Sequence, residues 1–168
     1  HFEAFCKFAF AHYLKTINTS NLKCNKANFA IAASALSDVF MALRNPEKKS
    51  DIFKRDLPDD SKLHRFSRDR EFLEQISEIG NLKVLLDDKI IDTESNLKPV
   101  VLQKILYRLG LPHNKFDNLS GQINKLLNYR NQIAHGERKA GIPEKEYDSL
   151  REDVFFIIDE IKREIMNA

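Results

Sequence analysis

Glycine and proline are scarce in this chain, with five of each among 168 residues. Strict alternation of apolar and polar residues, the mark of a half-buried strand, is equally rare, so the sequence reads as all-α. Only two cysteines are present, Cys6 and Cys24. They show no CxxC spacing and no neighbouring histidine cluster, which argues against a disulfide framework or a structural zinc. They read instead as reduced packing thiols of a protein in the cytoplasm. No stretch approaches the roughly 18 apolar residues that a membrane-spanning helix needs. An excess of one charge sign is missing too: 27 Lys and Arg stand against 25 Asp and Glu, a net +2. The chain as a whole therefore announces no polyanion partner, and any such contact falls to a local patch.

What is present is enough hydrophobic sequence, 42% of the chain, to fill one core, and residues 1–168 are expected to form a single helical domain. The apolar pattern already runs at Phe2, behind His1 rather than a methionine, so further residues are expected upstream. Phe2, Phe5, Cys6, Ala9, Phe10, Tyr13, Leu14 and Ile17 recur at steps of three and four, which predicts a first helix ended by Asn18–Asn21. A second helix is expected over 26–44, with Phe29, Ala32, Leu36, Val39, Phe40 and Leu43 as its stripe and Asn45-Pro46 as its stop. Residues 45–70 turn polar around Pro58 and read as a long, mobile excursion. Its cations Lys62, His64, Arg65, Arg68 and Arg70 either form an RNA-contacting arm or sit among the acids of a solvated loop.

Phe72, Ile76 and Ile79 mark a short helix ending near Gly80, while residues 82–91 fit helix or connector equally. Asp92 to Asn96 offers capping side chains for a helix to Leu109, closed by Gly110 and Pro112. A further helix is expected from Asp117 or Asn118 to His135, with Gly136 just beyond it, and a last one from Pro143.

The helix ending at His135 carries the stretch LLNYRNQIAHGE, residues 126–137. With Leu119 set at zero and about 100° per residue, Ile123, Leu126, Leu127, Ile133 and Ala134 all fall within about 80° of it. Arg130 lands near 20°, inside that apolar stripe. A guanidinium stays charged, so it must snorkel, pair with a carboxylate, or face a polar site at the edge of the core. His135, at the end of the helix, reads either as a cap or as an acid–base group. Arg130 and His135 diverge by about 140° around the axis. They converge on one cleft most easily when two copies of the helix meet about a two-fold axis. An imidazole and a fixed cation suit general acid–base work on a phosphodiester, the arginine binding its oxygens. No carboxylate cluster with metal-ligand spacing lies nearby, which favours chemistry without metal or other cofactor and makes RNA, with its own 2′-hydroxyl nucleophile, the fitting substrate.

Arg130-Asn-Gln-Ile-Ala-His135 followed by Gly136 resembles the Arg-x4–6-His signature of the HEPN superfamily, in the RNxxAHG form. The opening HFEAFCK resembles the HWEGFxK stretch of the branch related to RiboL-PSP-type HEPN domains, with Phe2 for Trp and Ala4 for Gly. Residues 94–111, ESNLKPVVLQKILYRLGL, are similar to that branch as well. The resemblance implies an antiparallel helical bundle that dimerises with its signature helices face to face. Intact members are metal-independent endoribonucleases that leave a 2′,3′-cyclic phosphate, many of them toxins of toxin–antitoxin systems or phage-defence effectors. Carried over to this chain, Arg130 and His135 are the catalytic candidates, and Asn131, Glu3 and His1 the auxiliary or substrate-binding ones. RNA, a second copy of the chain and a cognate antitoxin are the implied partners. A non-catalytic HEPN module that binds RNA, nucleotides or a protein is the alternative, and a scaffold domain of a longer protein is a third.

Overall fold

The computed structural model describes residues 1–47, 49, 52, 60–137 and 141–168. Seven α-helices and no strand occur among the described residues: α1 (Phe2–Thr19), α2 (Phe29–Ala35), α3 (Ser37–Arg44), α4 (Ser61–Asn81), α5 (Pro99–Arg108), α6 (Ser120–Ala134) and α7 (Glu144–Asn167). The fold is all-α, as the composition and periodicity require. The apolar stripe of α1 places Phe2, Cys6, Phe10, Leu14 and Ile17 against α7 and the core, where Val101, Leu102 and Ile105 of α5, Ile123 of α6, and Ile157 and Ile161 of α7 meet them. Cys6 and Cys24 are buried free thiols, and burial first, with Glu3 second, pushes the Cys6 thiol up to about 12.

Several expected boundaries move. The helix expected over 26–44 is two helices, broken at Leu36 (φ −97°, ψ 15°) without a proline or glycine to mark the break. Phe29, placed on the buried stripe by periodicity, is 93% exposed; Ile31 is the residue of α2 that reaches the core. That rotation follows from docking on α5, where the Ser34 hydroxyl donates to the Arg108 carbonyl. The polar excursion is shorter than expected, because α4 begins at Ser61, its first turn capped by the Asp60 side chain accepting from Leu63 N–H. Within that excursion, residues 48, 50, 51 and 53–59 lie outside the described residues. The basic arm does not form as a free arm: His64 and Arg68 are buried, and Arg65 and Arg70 pair with Asp69 and Glu74 one turn along α4.

The connector over 82–91 is extended at Lys83, which bridges to Lys23, and then turns through a 3-10 helix at Asp88–Ile91. Lys115, in the loop after α5, binds Glu160 at 2.7 Å and also Glu164, and buried Glu160 is shared with Arg163. This ion-pair group fastens the loop to the end of α7.

Gly110 ends α5 at φ +70°, where a Cβ would run into the side-chain amide of Asn28. Asn28 is itself the N-cap of α2, accepting from Ile31 N–H at 2.9 Å. Gly110→Ala therefore adds the left-handed strain of a non-glycine residue to a displaced cap, about 2–3 kcal/mol together. For a chain of this size that lowers Tm by roughly 5–10 °C in a thermal melt. Gly136→Ala, with the same backbone sign and open space around its Cβ, loses only the first part, about 1 kcal/mol.

Candidate functional site

Helix α6 opens with a 3-10 turn at Asp117–Leu119 and closes at His135, its C-cap. Gly136 takes φ +71°, its N–H bonds the Ile133 carbonyl, and the Glu137 N–H reaches back to Gln132 at 2.9 Å. This pair of bonds satisfies the last carbonyls of the helix and fixes where His135 sits.

The buried stripe of α6 consists of Ile123 and Leu127, with Leu126 half-buried. One turn further on, the face opens to solvent. Ile133 is 50% exposed and Ala134 is exposed, although both lie on the same face. Arg130 falls at this transition and its side chain is 53% exposed. The guanidinium thus faces the edge of the core and is not buried in it.

Four residues from elsewhere gather there. Arg130 Nη1 donates to Asn96 Oδ1 at 3.4 Å, and Nη2 lies 4.0 Å from Glu3 Oε2. Glu3 Oε1 accepts from the Thr93 hydroxyl at 2.8 Å and lies 3.3 Å from Lys7 Nζ. Both contacts to Arg130 are long for their kind, and among the described residues they leave most of its five donors open. Glu3, on the first turn of α1, holds two cations with one carboxylate.

Thr93 and Asn96 belong to a turn that the sequence presents as caps for α5. The first residue of α5 is instead Pro99, and Lys98 supplies no side-chain cap. The run Asp92–Asn96 forms a tight turn in which consecutive residues Glu94 (φ 52°) and Ser95 (φ 61°) are left-handed. Strain of that kind persists only where surrounding contacts over-determine it. Here Asp92 Oδ1 accepts from Glu94 N–H at 2.9 Å, Asn96 N–H bonds the Thr93 carbonyl at 2.9 Å, and Lys104 pairs with Glu94 at 2.9 Å. Thr93 is 1% exposed, so the turn is anchored beneath Glu3 and displays Asn96 to Arg130. Its signal in the sequence was a dense run of turn-forming side chains too far ahead of Pro99 to cap α5.

Of the residues singled out from the sequence, Arg130 and Glu3 are brought together. Asn131 is half-buried on α6, His135 is exposed at its end, and His1 is exposed at the N-cap of α1. Among the described residues, no hydrogen bond or ion pair joins the side chains of these three to the Arg130 cluster. Also among the described residues, no group of three or more His, Cys, Asp or Glu is arranged to hold a metal ion. No helix there is long and apolar enough to cross a membrane.

Partial burial works against the charge on Glu3, but the Thr93 hydroxyl, Lys7 and Arg130 outweigh it and hold the carboxyl below the ordinary range. A depressed carboxylate stabilises the fold at pH above its unfolded value, near 4.3, and the contribution is lost as pH falls through the lower folded value. Glu3→Gln is therefore expected to be about 1 kcal/mol less stable than the unaltered chain at pH 7. In melts taken downward from pH 5, the difference should close below about pH 4.

No curated protein and no solved structure shows significant similarity to this chain. One family model matches it, RiboL-PSP-HEPN, over residues 1–167, a span that takes in Glu3, the turn at 92–96 and the Arg130–His135 stretch alike. With that match over nearly its whole length, the chain belongs to the RiboL-PSP-HEPN family.

Proposed function

We propose that this protein is a metal-independent endoribonuclease acting as a homodimer through α6. Family membership supports an RNA-related or nucleotide-binding role in general. The observation that carries the finer reading is Arg130, placed half-exposed where the apolar stripe runs out and aimed by loose contacts to Glu3 and Asn96. A guanidinium locked in a buried, close ion pair would have few donors to spare; this one keeps donors for a phosphate. The apolar face of α6 continues into exposed Ile133 and Ala134, which a second copy would cover, bringing a second Arg130 and His135 to the same groove.

In this mechanism His135 takes the proton from the ribose 2′-hydroxyl as its oxygen attacks the adjacent phosphorus. The bond from phosphorus to the 5′-oxygen breaks, and an imidazolium returns a proton to that oxygen. The two copies of His135 divide the base and acid roles. Arg130 binds the non-bridging oxygens and stabilises the added charge of the pentacovalent transition state. Asn131 helps orient the substrate. The products are a 2′,3′-cyclic phosphate and a 5′-hydroxyl. A role as a toxin or defence effector, checked by a cognate antitoxin, follows as the biological setting. The test is incubation with single-stranded RNA in excess chelator, followed by end-group analysis. Cyclic phosphate ends are expected, and intact RNA would refute the proposal.

One observation favours a second reading. Within a single chain the imidazole of His135 makes no contact with the Arg130 cluster, as would suit a non-catalytic module that binds RNA or nucleotides. Tight RNA binding without cleavage at any protein concentration would select it.

A further inference from the structure

The stretch from Ala4 to Ser37 contains no Asp or Glu, in a chain with 25 of them, yet carries Lys7, Lys15, Lys23 and Lys26. Within it, α1 turns one face to solvent. Counting about 100° per residue from Glu3, Lys7 falls near 40°, Lys15 near 120°, Phe8 near 140° and His12 near 180°. Ala4 and Ala11 lie inside the same arc, and all six residues are exposed. Phe8 is 73% exposed, its ring nearly parallel to that of His12, with 6.4 Å between centroids and 13° between planes. A single exposed phenylalanine is ordinary. One backed by a second ring, cleared on one side by two alanines and flanked by lysines, has the composition of a base-stacking platform.

The arc is continuous with the site, since Lys7 at its near edge shares Glu3 with Arg130. We infer that the exposed arc of α1 is a track for single-stranded RNA leading away from Arg130, with Lys7 and Lys15 contacting phosphates and a base stacked on Phe8. From Glu3 to Lys15 the helix rises about 18 Å, enough for up to about five phosphates at the ~3.4 Å strand spacing of a duplex. The inference rests on the proposed cleavage for its direction and its choice of RNA. A second copy of the chain is disfavoured as occupant, because a two-fold contact would set the lysine-bearing patch against itself. The turn packed against the far part of α1 carries Asp87 and Asp88, so the attraction is confined to the lysine stripe.

The test is fluorescence anisotropy with a labelled single strand of 2′-O-methyl RNA, which lacks the nucleophilic hydroxyl and so reports binding alone. Phe8→Ala is expected to weaken binding about tenfold and Phe8→Tyr to restore it. Lys15→Ala should reduce the slope of log affinity against log salt by about 0.7. A duplex of the same sequence, its bases paired, should bind independently of Phe8. Phe8 lies on the exposed face of a helix, so its replacement leaves the fold intact, as circular dichroism would verify. Binding of Phe8→Ala within twofold of the unaltered protein, or no binding by the unaltered protein, overturns the inference. So does a change in sedimentation on losing Phe8 with RNA binding unchanged, which would assign the face to a second copy. Phe8-dependent binding by a protein that cuts no RNA would leave the track standing and remove only the nuclease.

Discussion

Arg130→Ala and His135→Ala are each expected to reduce RNA cleavage by roughly 10²- to 10⁴-fold, with little change in thermal stability. The two halves of that expectation come from the same geometry. Arg130 is 53% exposed and its carboxylate contact is at 4.0 Å, so removing it costs the fold less than about 1 kcal/mol. In the proposed mechanism the cost to catalysis is far larger, because charge accumulates on the phosphate in the transition state and the guanidinium is placed to meet it there. Arg130→Lys should recover little, since an ammonium keeps the charge but not the planar fork that engages two phosphate oxygens. His135 caps α6 through its backbone, whose N–H bonds Asn131 at 2.9 Å, so alanine there keeps the helix end and deletes the proton carrier alone. Initial-rate measurements on a single-stranded RNA, beside melts of the same samples, check both halves. Variants that cleave within threefold of the unaltered chain would remove these residues from the mechanism.

Ile133→Glu is expected to have the second largest effect, turning the proposed α6 dimer into a monomer and cutting cleavage at least tenfold at micromolar protein. Ile133 is 50% exposed in the single chain, so glutamate there is harmless to the isolated fold. In the proposed two-fold pairing it brings carboxylates into the seam where apolar side chains would meet. Cleavage should then recover in part as protein concentration rises, in step with sedimentation. An Ile133→Glu variant that is monomeric and fully active would show that each chain carries a complete site.

The parts of this fold legible in the sequence are those governed by local chemistry. The C-terminal end of α6 follows from Gly136 and its left-handed turn, and the end of α5 from Gly110; the start expected at Asp117 or Asn118 is a 3-10 turn, and α6 proper begins at Ser120. The stripe of α1 is wide and regular enough to face the core under any packing. Tertiary docking decides the rest. Nothing near Leu36 announces the break between α2 and α3, and Phe29 turns outward because α2 meets α5 through Ile31 and Ser34. Helix α4 hides in a polar stretch because, among the described residues, it packs against α3 with Phe72 meeting Phe40 at 6.3 Å, and its buried positions His64, Ser67 and Arg68 are polar. Asp60 was its visible start signal, overshadowed by Pro58.

The site divides in the same way. Rotation about α6 puts Arg130 on the apolar face, but only the exposure of Ile133 and Ala134 in the folded chain shows that the face is open there. Glu3 could be named from its motif. Its partners Thr93 and Asn96 could not, because their turn adopts a strained shape that no local preference selects.

The central claim is that RNA supplies its own nucleophile at a groove armed by Arg130 and His135. The most direct measurement compares one oligonucleotide, mapped for its cleaved bond, with a copy carrying hydrogen in place of the single 2′-hydroxyl next to that bond, both in excess chelator. Cleavage of the first at that bond and none of the second is the predicted result. Equal cutting of both, or cutting that depends on added metal, would contradict it.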